Sequence, residues 1–387
     1  GPVSFSFGIA KRKWLFIAVK SSADYSVFLD GVRVAGSETP RHETFREAVS
    51  GDHTISVEGV VPGDEITVRT IPEILNYAPY RSHIREMPVY DWEHQEKYAF
   101  PAVTTMNGGL PPKNVDMAKY RASGRRWLAN LKTTKPKSPE DIAARLKSAK
   151  GMAHPMCDGI TCDEQFCGRD EANSHYMLGL RKYDLEERPA RGIYTWLVGK
   201  PISGILDSEY LAECANVSLG RGAVIHETYC RSRASEKMAR AYFEAYICET
   251  MRQFRMAWPE IAPSMGMILG NFIQIPVLSL HHHCEMDYRY FLDMQLNTLA
   301  NNPELDGIGI AGFYGSHNQD DDTFRWSFKL LRHYCIEGGT EMLSGEYGLR
   351  FNPGFVTNPD FRSGLDGWIL DGDVSHDFIQ GFGRRSL

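Results

Sequence analysis

The stretch that decides the fold is Met156-Cys157-Asp158-Gly159-Ile160-Thr161-Cys162-Asp163-Glu164-Gln165-Phe166, a short apolar run that ends in adjacent carboxylates. Such a run is typical of a buried parallel strand that gives way to a loop. Asp and Glu are rarely buried unless they are paired or functional, and parallel-sheet enzymes keep their reacting groups at the carboxyl ends of strands. The stretch therefore predicts a strand that delivers Asp163 and Glu164 to an active site. The structural alternative is an Asp163 that caps the following helix.

Strand alternation separates the two acids. Thr161 and Asp163 share one face, whereas Cys162 and Glu164 share the other. A small polar residue below Asp163 suits a hydrated barrel mouth, so we expect Asp163 to point inward and Glu164 to lie at the rim, unless the strand end twists or bulges.

From about Ile71, short apolar runs alternate with longer helical stretches, which indicates βα units. The predicted strands, in chain order, are 74–77, 102–106, 126–131, the stretch that ends at 163–164, 193–198, 223–229, 266–271 and 307–312. Eight strands with intervening helices predict an α/β fold of the (β/α)8 TIM-barrel type. Between the sixth and seventh strands we expect one helix from Ser235 to Trp258, with Met238, Ala241, Tyr242, Ala245 and Cys248 along its apolar face.

An open, doubly wound sheet is the alternative architecture. It usually carries a Gly-rich phosphate loop after an early strand, at the start of a helix. The run 108–112, Gly-Gly-Leu-Pro-Pro, has neither that spacing nor a helix start behind it. The barrel is therefore favoured.

The central stretch also carries a family resemblance. The pattern Asp158-Gly159-Ile160, two residues, then Asp163-Glu164 resembles the fourth-strand signature of several TIM-barrel glycoside hydrolase families, and more loosely the chitinase-type strand. In the chitinase type, carboxylates alternate along the strand and the last is a Glu, but Thr161 and Gln165 occupy two of those places here. The commonest retaining barrel glycosidases place an Asn-Glu pair on the fourth strand and a Glu on the seventh strand. The seventh predicted strand of this chain ends in Asn271 instead. The resemblance therefore implies a glycosidase fold and paired carboxylates, but neither of those two mechanisms.

Segments of different character flank the barrel. In residues 1–70, short strand-like runs separated by Gly/Asp turns predict an antiparallel β-sandwich, which resembles the immunoglobulin-like accessory modules of bacterial carbohydrate-active proteins. A packing platform without a ligand is the favoured role for it. We assign 71–350 to the catalytic barrel and 351–387 to a short C-terminal β extension, because 358–368 resembles the opening of a jelly-roll module but too little chain follows for a complete one.

Composition limits the possible partners. The formal net charge is −6 without a concentrated basic stripe, which argues against nucleic acid. Aromatic residues make up 11% of the chain, a richness compatible with rings that stack on sugars. No apolar run is long enough to cross a bilayer, and no signal peptide is present. Gly1-Pro2 has the form of a protease scar, so the absence of a signal peptide does not argue against export, and we expect a secreted or periplasmic protein.

In a barrel, polar residues at the carboxyl ends of the strands converge on one pocket. Glycosidic cleavage requires two carboxylates, one of which holds a proton near neutral pH. We predict Asp163, Glu164 and Glu227 as the catalytic residues; pairing of Glu227 with a nearby arginine is the structural alternative. The predicted substrate-binding residues are Asn107, Trp196, Tyr229, Asn271, His283, Tyr314 and His317.

A second conspicuous cluster is the run 281–285, His-His-His-Cys-Glu. Adjacent residues rarely face one point, and no i, i+4 His pair supports a metal site, so we expect neither metal nor cofactor here. An ordinary polar loop is the favoured interpretation, and a loop in which one His contacts the substrate is the alternative. The eight cysteines lack C-x-x-C pairs and are expected to be mostly buried free thiols.

Taken together, the sequence predicts a glycoside hydrolase that acts on an oligo- or polysaccharide. A catalytically silent carbohydrate-binding barrel is the main alternative, and a metal-dependent hydrolase is a further one.

Overall fold

The computed structural model describes residues 2–77, 90–133, 135–168, 170–202, 204–273, 279–283, 286–314, 319–351 and 364–369. His317 and most of the predicted C-terminal extension lie outside the described residues.

The N-terminal segment is an antiparallel β-sandwich of seven strands. They are β1 (Val3–Ile9), β2 (Lys13–Lys20), β3 (Ser26–Leu29), β4 (Val32–Gly36), β5 (Glu43–Ala48), β6 (Gly51–Glu58) and β7 (Glu65–Ile71). One sheet has the order β1-β6-β3-β4 and the other the order β5-β2-β7. The turn between β3 and β4 uses Asp30 and Gly31 at φ 52° and 78°, the left-handed conformation that a tight hairpin of this twist requires.

The following strands close into an eight-stranded parallel barrel, as predicted. They are β8 (Glu73–Tyr77), β9 (Thr105–Gly108), β10 (Arg126–Lys132), β11 (Gly159–Phe166), β12 (Gly192–Val198), β13 (Ala223–Thr228), β14 (Met265–Gly270) and β15 (Ile310–Tyr314). Two of these strands start three residues later than expected. The residues before β9 form a 3-10 turn at Phe100–Ala102, and Gly307 before β15 adopts a turn conformation with φ 79°.

Helices cover the outside of the barrel. They are α1 (Trp92–Tyr98), α2 (Met117–Ala122), α3 (Pro139–Lys147), α4 (Lys150–Ala153), α5 (Glu171–Glu187), α6 (Ser208–Gly220), α7 (Glu236–Phe243), α8 (Glu249–Ala257), α9 (Tyr288–Asn301) and α10 (Asp321–Leu331). None of the helices in the described ranges combines the length and the apolar character needed to cross a membrane. The described cysteines are free thiols, most of them buried.

The predicted helix from Ser235 to Trp258 is present, and its predicted apolar face is confirmed only in part: Cys248 is buried, whereas Met238, Ala241 and Ala245 are exposed. Ser235 caps α7, and a π-helical turn at Glu244–Cys248 joins α7 to α8. The buried side chains include Phe243, Ile247 and Met251, whereas Met238 is 53% exposed. Larger side chains at i, i+4 spacing therefore decided which face turned to the sheet.

The barrel has two apolar cores. The larger core lies between the strands and the helix layer, and it also contains Trp14, Phe16 and Phe45 of the sandwich. A smaller core, which includes Tyr194, Trp196 and Ile268, fills the barrel lumen. Membership of one core or the other shows which way each strand residue points.

The sandwich packs against the amino-terminal end of the barrel. The Phe45 N–H donates to the Ser123 carbonyl at 3.2 Å, just before β10 begins. Glu47 forms ion pairs with Arg126, the first residue of β10, and with Arg12. The opposite end of the barrel, where the strands terminate, is therefore left clear of the sandwich.

Candidate active site

The amino-terminal end of β11 is fixed by Asp158 and Gly159. The Asp158 carboxylate accepts a hydrogen bond from the Trp127 N–H at 2.9 Å and pairs with Arg121 at 3.0 Å. A Cβ on Gly159 would lie 2.1 Å from the Gly192 carbonyl oxygen, so only glycine allows β11 and β12 to approach this closely. Asp158 and Gly159 therefore position the strand at the end opposite Asp163 and Glu164.

Alternation along β11 follows the prediction as far as Asp163. Ile160 and Cys162 pack in the core beneath the helices, and Thr161 between them is buried on the lumen side. Asp163 is half-buried at the mouth, where its charge acts on the hydroxyls of Tyr77 and Tyr314. Burial, together with the charge of Glu164, raises the pKa of Asp163.

A β-bulge then breaks the alternation. The register passes from Cys162 opposite Thr195 to Gln165 opposite Leu197, so β11 holds one extra residue. Glu164 is exposed and adopts φ 53°, a left-handed conformation that is uncommon for a residue with a side chain. Gln165 turns to the helix side, where its amide donates to the Thr133 hydroxyl at 2.8 Å. Without the bulge, plain alternation would have directed Gln165 into the lumen.

Glu227 on β13 lies at the same mouth. The preceding His226 points to the helix side and donates from Nε2 to the Gly199 carbonyl at 2.8 Å, which leaves Glu227 on the lumen side. The indole N–H of Trp196 donates to Glu227 Oε1 at 2.6 Å. The Tyr229 hydroxyl lies near the same carboxyl group but outside hydrogen-bond geometry.

Burial raises the pKa of Glu227 to about 7. The hydrogen bond from Trp196 acts in the opposite direction because it stabilises the ionised form. The negative charges of Asp163 and Glu164 raise the pKa further, which shows that the three predicted catalytic carboxyls share one electrostatic environment. Two strands separated in sequence thus bring these acids together.

Aromatic rings form one wall of the mouth. Tyr77 and Tyr314 stack with their ring centroids 4.6 Å apart, and Trp196 contacts Tyr77 edge-on at 5.8 Å. Tyr229 reaches the same group through Tyr314, at 5.9 Å. Trp196, Tyr229 and Tyr314 were predicted site residues. Tyr77 was missed, although its place at the end of the first barrel strand was a sufficient signal.

Polar side chains below the carboxyls have atoms without a partner. Asn107 on β9 is 1% exposed, and neither its amide nitrogen nor its oxygen finds a hydrogen-bond partner among the described residues. The same holds for the Oδ1 atom of Asn130 and the hydroxyl of Thr161 on the two following strands. The side-chain amide N–H of Asn130 donates a hydrogen bond to the Tyr77 hydroxyl at 2.5 Å. We call Asn107, Asn130 and Thr161 the polar floor; the sequence pointed to Asn107 alone.

Two of the predicted substrate-binding residues, Asn271 and His283, form hydrogen bonds with residues other than the carboxyls and rings described above. Asn271 is fully buried and donates to the Ser327 hydroxyl of α10 at 2.9 Å, which places its amide in the helix layer. In the histidine cluster, His281 and His282 donate from Nε2 to the carbonyls of Met286 and Ser279, each at 2.9 Å. The backbone N–H of His283 donates to the Ser232 hydroxyl at 3.0 Å. Substrate contacts by Asn271 and His283 stay predictions.

Within the described ranges, no group of three or more His, Cys, Asp or Glu side chains is arranged to hold a metal ion.

Comparisons with known proteins give structural neighbours only. No protein-family model matches the chain, and no curated protein matches it. The chain is similar in structure to an endo-beta-N-acetylglucosaminidase from Cordyceps militaris, at 8% identity over 67% of this chain and 90% of that chain, with a TM-score of 0.45. It is also similar to the catalytic domain of a chitinase from Pyrococcus furiosus, at 14% identity over 68% of this chain and 96% of that chain, with a TM-score of 0.44.

A third neighbour is a GH2 beta-galacturonidase from Eisenbergiella tayi, at 8% identity over 81% of this chain and 82% of that chain, with a TM-score of 0.39. These neighbours are glycoside hydrolases. Identities this low carry no information about individual residues, so the chemistry of this chain has to be derived from its own side chains.

Proposed function

We propose that this protein is a glycoside hydrolase in which Glu227 and Asp163 are the reacting carboxyl groups. The observation that supports this most directly is the pairing of a half-buried Glu227, whose pKa is about 7, with two further carboxyls at one barrel mouth. Glycosidases need one carboxyl group that is protonated near neutral pH and a second that is ionised. Environments that hold neighbouring carboxyls in different protonation states are typical of that chemistry.

Glu227 is the proposed proton donor. Trp196 donates its N–H to Oε1, so the proton of the neutral carboxyl resides on Oε2. From Oε2 it passes to the glycosidic oxygen as the bond from that oxygen to the anomeric carbon breaks. Burial supplies the raised pKa, and the indole fixes the rotation of the carboxyl group.

Asp163 is the proposed ionised partner. Its negative charge stabilises the positive charge that develops on the sugar ring in the transition state, whether it attacks the anomeric carbon itself or activates a water. Burial and the charge of Glu164 raise the pKa of Asp163, and the positive charge of Lys132 offsets part of that rise in favour of the ionised form. Glu164 lies beside it at the bulge, more exposed, in a position to assist at the rim.

The polar floor and the aromatic wall supply the binding contacts. A buried amide with both polar atoms unpartnered is costly, so the Asn107 site is suited to a ligand or water that offers a donor and an acceptor. Sugar hydroxyls offer both. The rings of Tyr77, Tyr314 and Trp196 provide the apolar surface on which pyranose faces pack.

A polysaccharide panel tests the proposal. The parent protein should release reducing sugar from at least one polysaccharide, and the double variant Asp163→Asn/Glu227→Gln should bind that polysaccharide but not cleave it. The matched control is Asp306→Asn/Glu186→Gln, which neutralises two exposed carboxylates away from the mouth. This control should cleave like the parent.

The same panel separates the alternatives. Binding without cleavage by the parent would identify a silent carbohydrate-binding barrel. Cleavage that stops after chelation and returns with added metal would favour a metal-dependent hydrolase over the carboxylate mechanism.

A further inference from the structure

The bulge in β11 has a second effect, which concerns Phe166. Because Glu164 is the extra residue, Gln165 occupies the helix side and Phe166 returns to the lumen side. The register partner of Phe166 is Val198, which packs against the lumen core. Phe166 therefore faces the mouth, two residues beyond Glu164, on the strand that carries Asp163.

Phe166 is unusually exposed for an aromatic side chain. Its exposure is 62%, while the neighbouring loop after β12 exposes Ile202 by 49% and Ile205 by 43%. The Cδ1 atom of Ile205 lies 3.8 Å from the position of a Cβ built on Gly168, so this loop lies beside the chain that leaves Phe166. We call Phe166, Ile202 and Ile205 the apolar rim.

We propose that the apolar rim is the subsite for the leaving group, and that it binds the apolar face of the sugar ring adjacent to the one held over the polar floor. This inference rests on the proposed function. The floor is buried and polar, which suits the hydroxyl-rich ring whose bond is broken. The rim is exposed and apolar, which suits stacking of a ring that remains partly in solvent. The substrate is accordingly an oligo- or polysaccharide, with at least one further ring beyond the scissile bond.

The short distance along β11 between the rim and Asp163 supports a sugar ring as the occupant of the rim. Asp163, Glu164 and Phe166 lie within four residues of one strand, so a sugar ring next to the scissile bond at Asp163 is within reach of the Phe166 ring. A leaving group that is only one atom in size would not extend as far as Phe166.

The test compares two substrates in Phe166→Ala. The first is an oligosaccharide of the polysaccharide that the panel identifies, and the second is the glycosyl fluoride of the same sugar, whose leaving group is a single atom. The ratio of kcat/KM for the oligosaccharide to kcat/KM for the fluoride should fall about tenfold in the variant, the size of effect expected from the loss of one aromatic stacking contact. Phe166→Tyr should restore most of the ratio.

Leu185→Ala is the matched control, because Leu185 is 71% exposed near the end of α5, away from the mouth. It should leave the ratio unchanged. An unchanged ratio in Phe166→Ala would overturn the subsite while leaving the proposed function intact. Equal losses on both substrates would also overturn it, because they would assign Phe166 to the support of the catalytic groups. If the parent cleaves and binds no carbohydrate, the proposed function fails and the subsite fails with it.

Discussion

Burial raises the pKa of Glu227 to about 7, and the hydrogen bond from Trp196 opposes that rise. Trp196→Phe removes the N–H donor to Oε1 and keeps an aromatic ring in the lumen. Because that donor stabilises the ionised carboxylate, its loss should raise the pKa of Glu227 above 7. In its proposed role as general acid, Glu227 becomes inactive as it deprotonates, so the basic limb of kcat/KM against pH should move upward by about one pH unit.

The control for this profile is Trp326→Phe, since the Trp326 N–H donates to the Arg289 carbonyl at 2.8 Å, in the helix layer. It loses a similar hydrogen bond and should leave the basic limb in place. If the basic limb of kcat/KM against pH did not move in Trp196→Phe, a group other than Glu227 would be responsible for that limb.

Asp163 and Glu164 differ in burial, and we expect their substitution to lower kcat by different amounts. Asp163→Asn should lower kcat by about two to four orders of magnitude, because it removes a charge that acts mainly in the transition state. Glu164→Gln should cost less, because its exposed carboxylate is better solvated. Steady-state rates of both variants on the substrate from the panel check the order. A nearly intact Asp163→Asn with an inactive Glu164→Gln would reverse the assignment.

At the scale of the element, β11 depends on a glycine at its amino-terminal end. A Cβ at Gly159 would meet backbone atoms of Gly192, which cannot swing aside as a side chain would. Gly159→Ala should therefore reduce the free energy of unfolding by about 1–3 kcal/mol, as overpacking of a core typically does. Denaturant titration measures the loss.

Gly204→Ala is its control, because no heavy atom lies within 4 Å of a Cβ built there. It should unfold at the same denaturant concentration as the parent. Equal stability of Gly159→Ala and the parent would mean that the two strands can move apart without cost.

The elements of the barrel were largely predictable, and the direction of some side chains was not. Eight apolar runs with helices between them predicted the strands. Because Asp163, Glu227 and Trp196 lie near the carboxyl ends of their strands, they were predicted to be neighbours at one mouth of the barrel. Plain alternation could not reveal the bulge, because the left-handed Glu164 carries no sequence signal such as a glycine. Asn271 shows a related limit: it follows the seventh strand as expected, yet its amide finds Ser327 in the helix layer.

At the scale of the molecule, the sandwich and the barrel share one core. Phe45 is fully buried, contacts Phe16 at 5.7 Å between ring centroids, and belongs to the core beneath the barrel helices. Phe45→Ala should destabilise the protein by about 3–5 kcal/mol. Because both modules bury the same ring, calorimetry should show a single unfolding transition that moves to lower temperature.

Phe5→Ala serves as the control, since Phe5 on β1 is 45% exposed. It should move the transition much less. Two separate transitions, only one of which responds to Phe45→Ala, would show that the modules unfold independently.

Because β11 contains one extra residue, deletion of a single residue would reverse the direction of the side chains that follow it. Removal of the Glu164 codon would restore plain alternation, so the Gln165 amide would enter the lumen and the Phe166 ring would turn beneath the helices. A strand that offers an acid and an aromatic rim would become one that offers an acid and an amide. A three-nucleotide change could thus alter what this barrel binds without replacing any other amino acid.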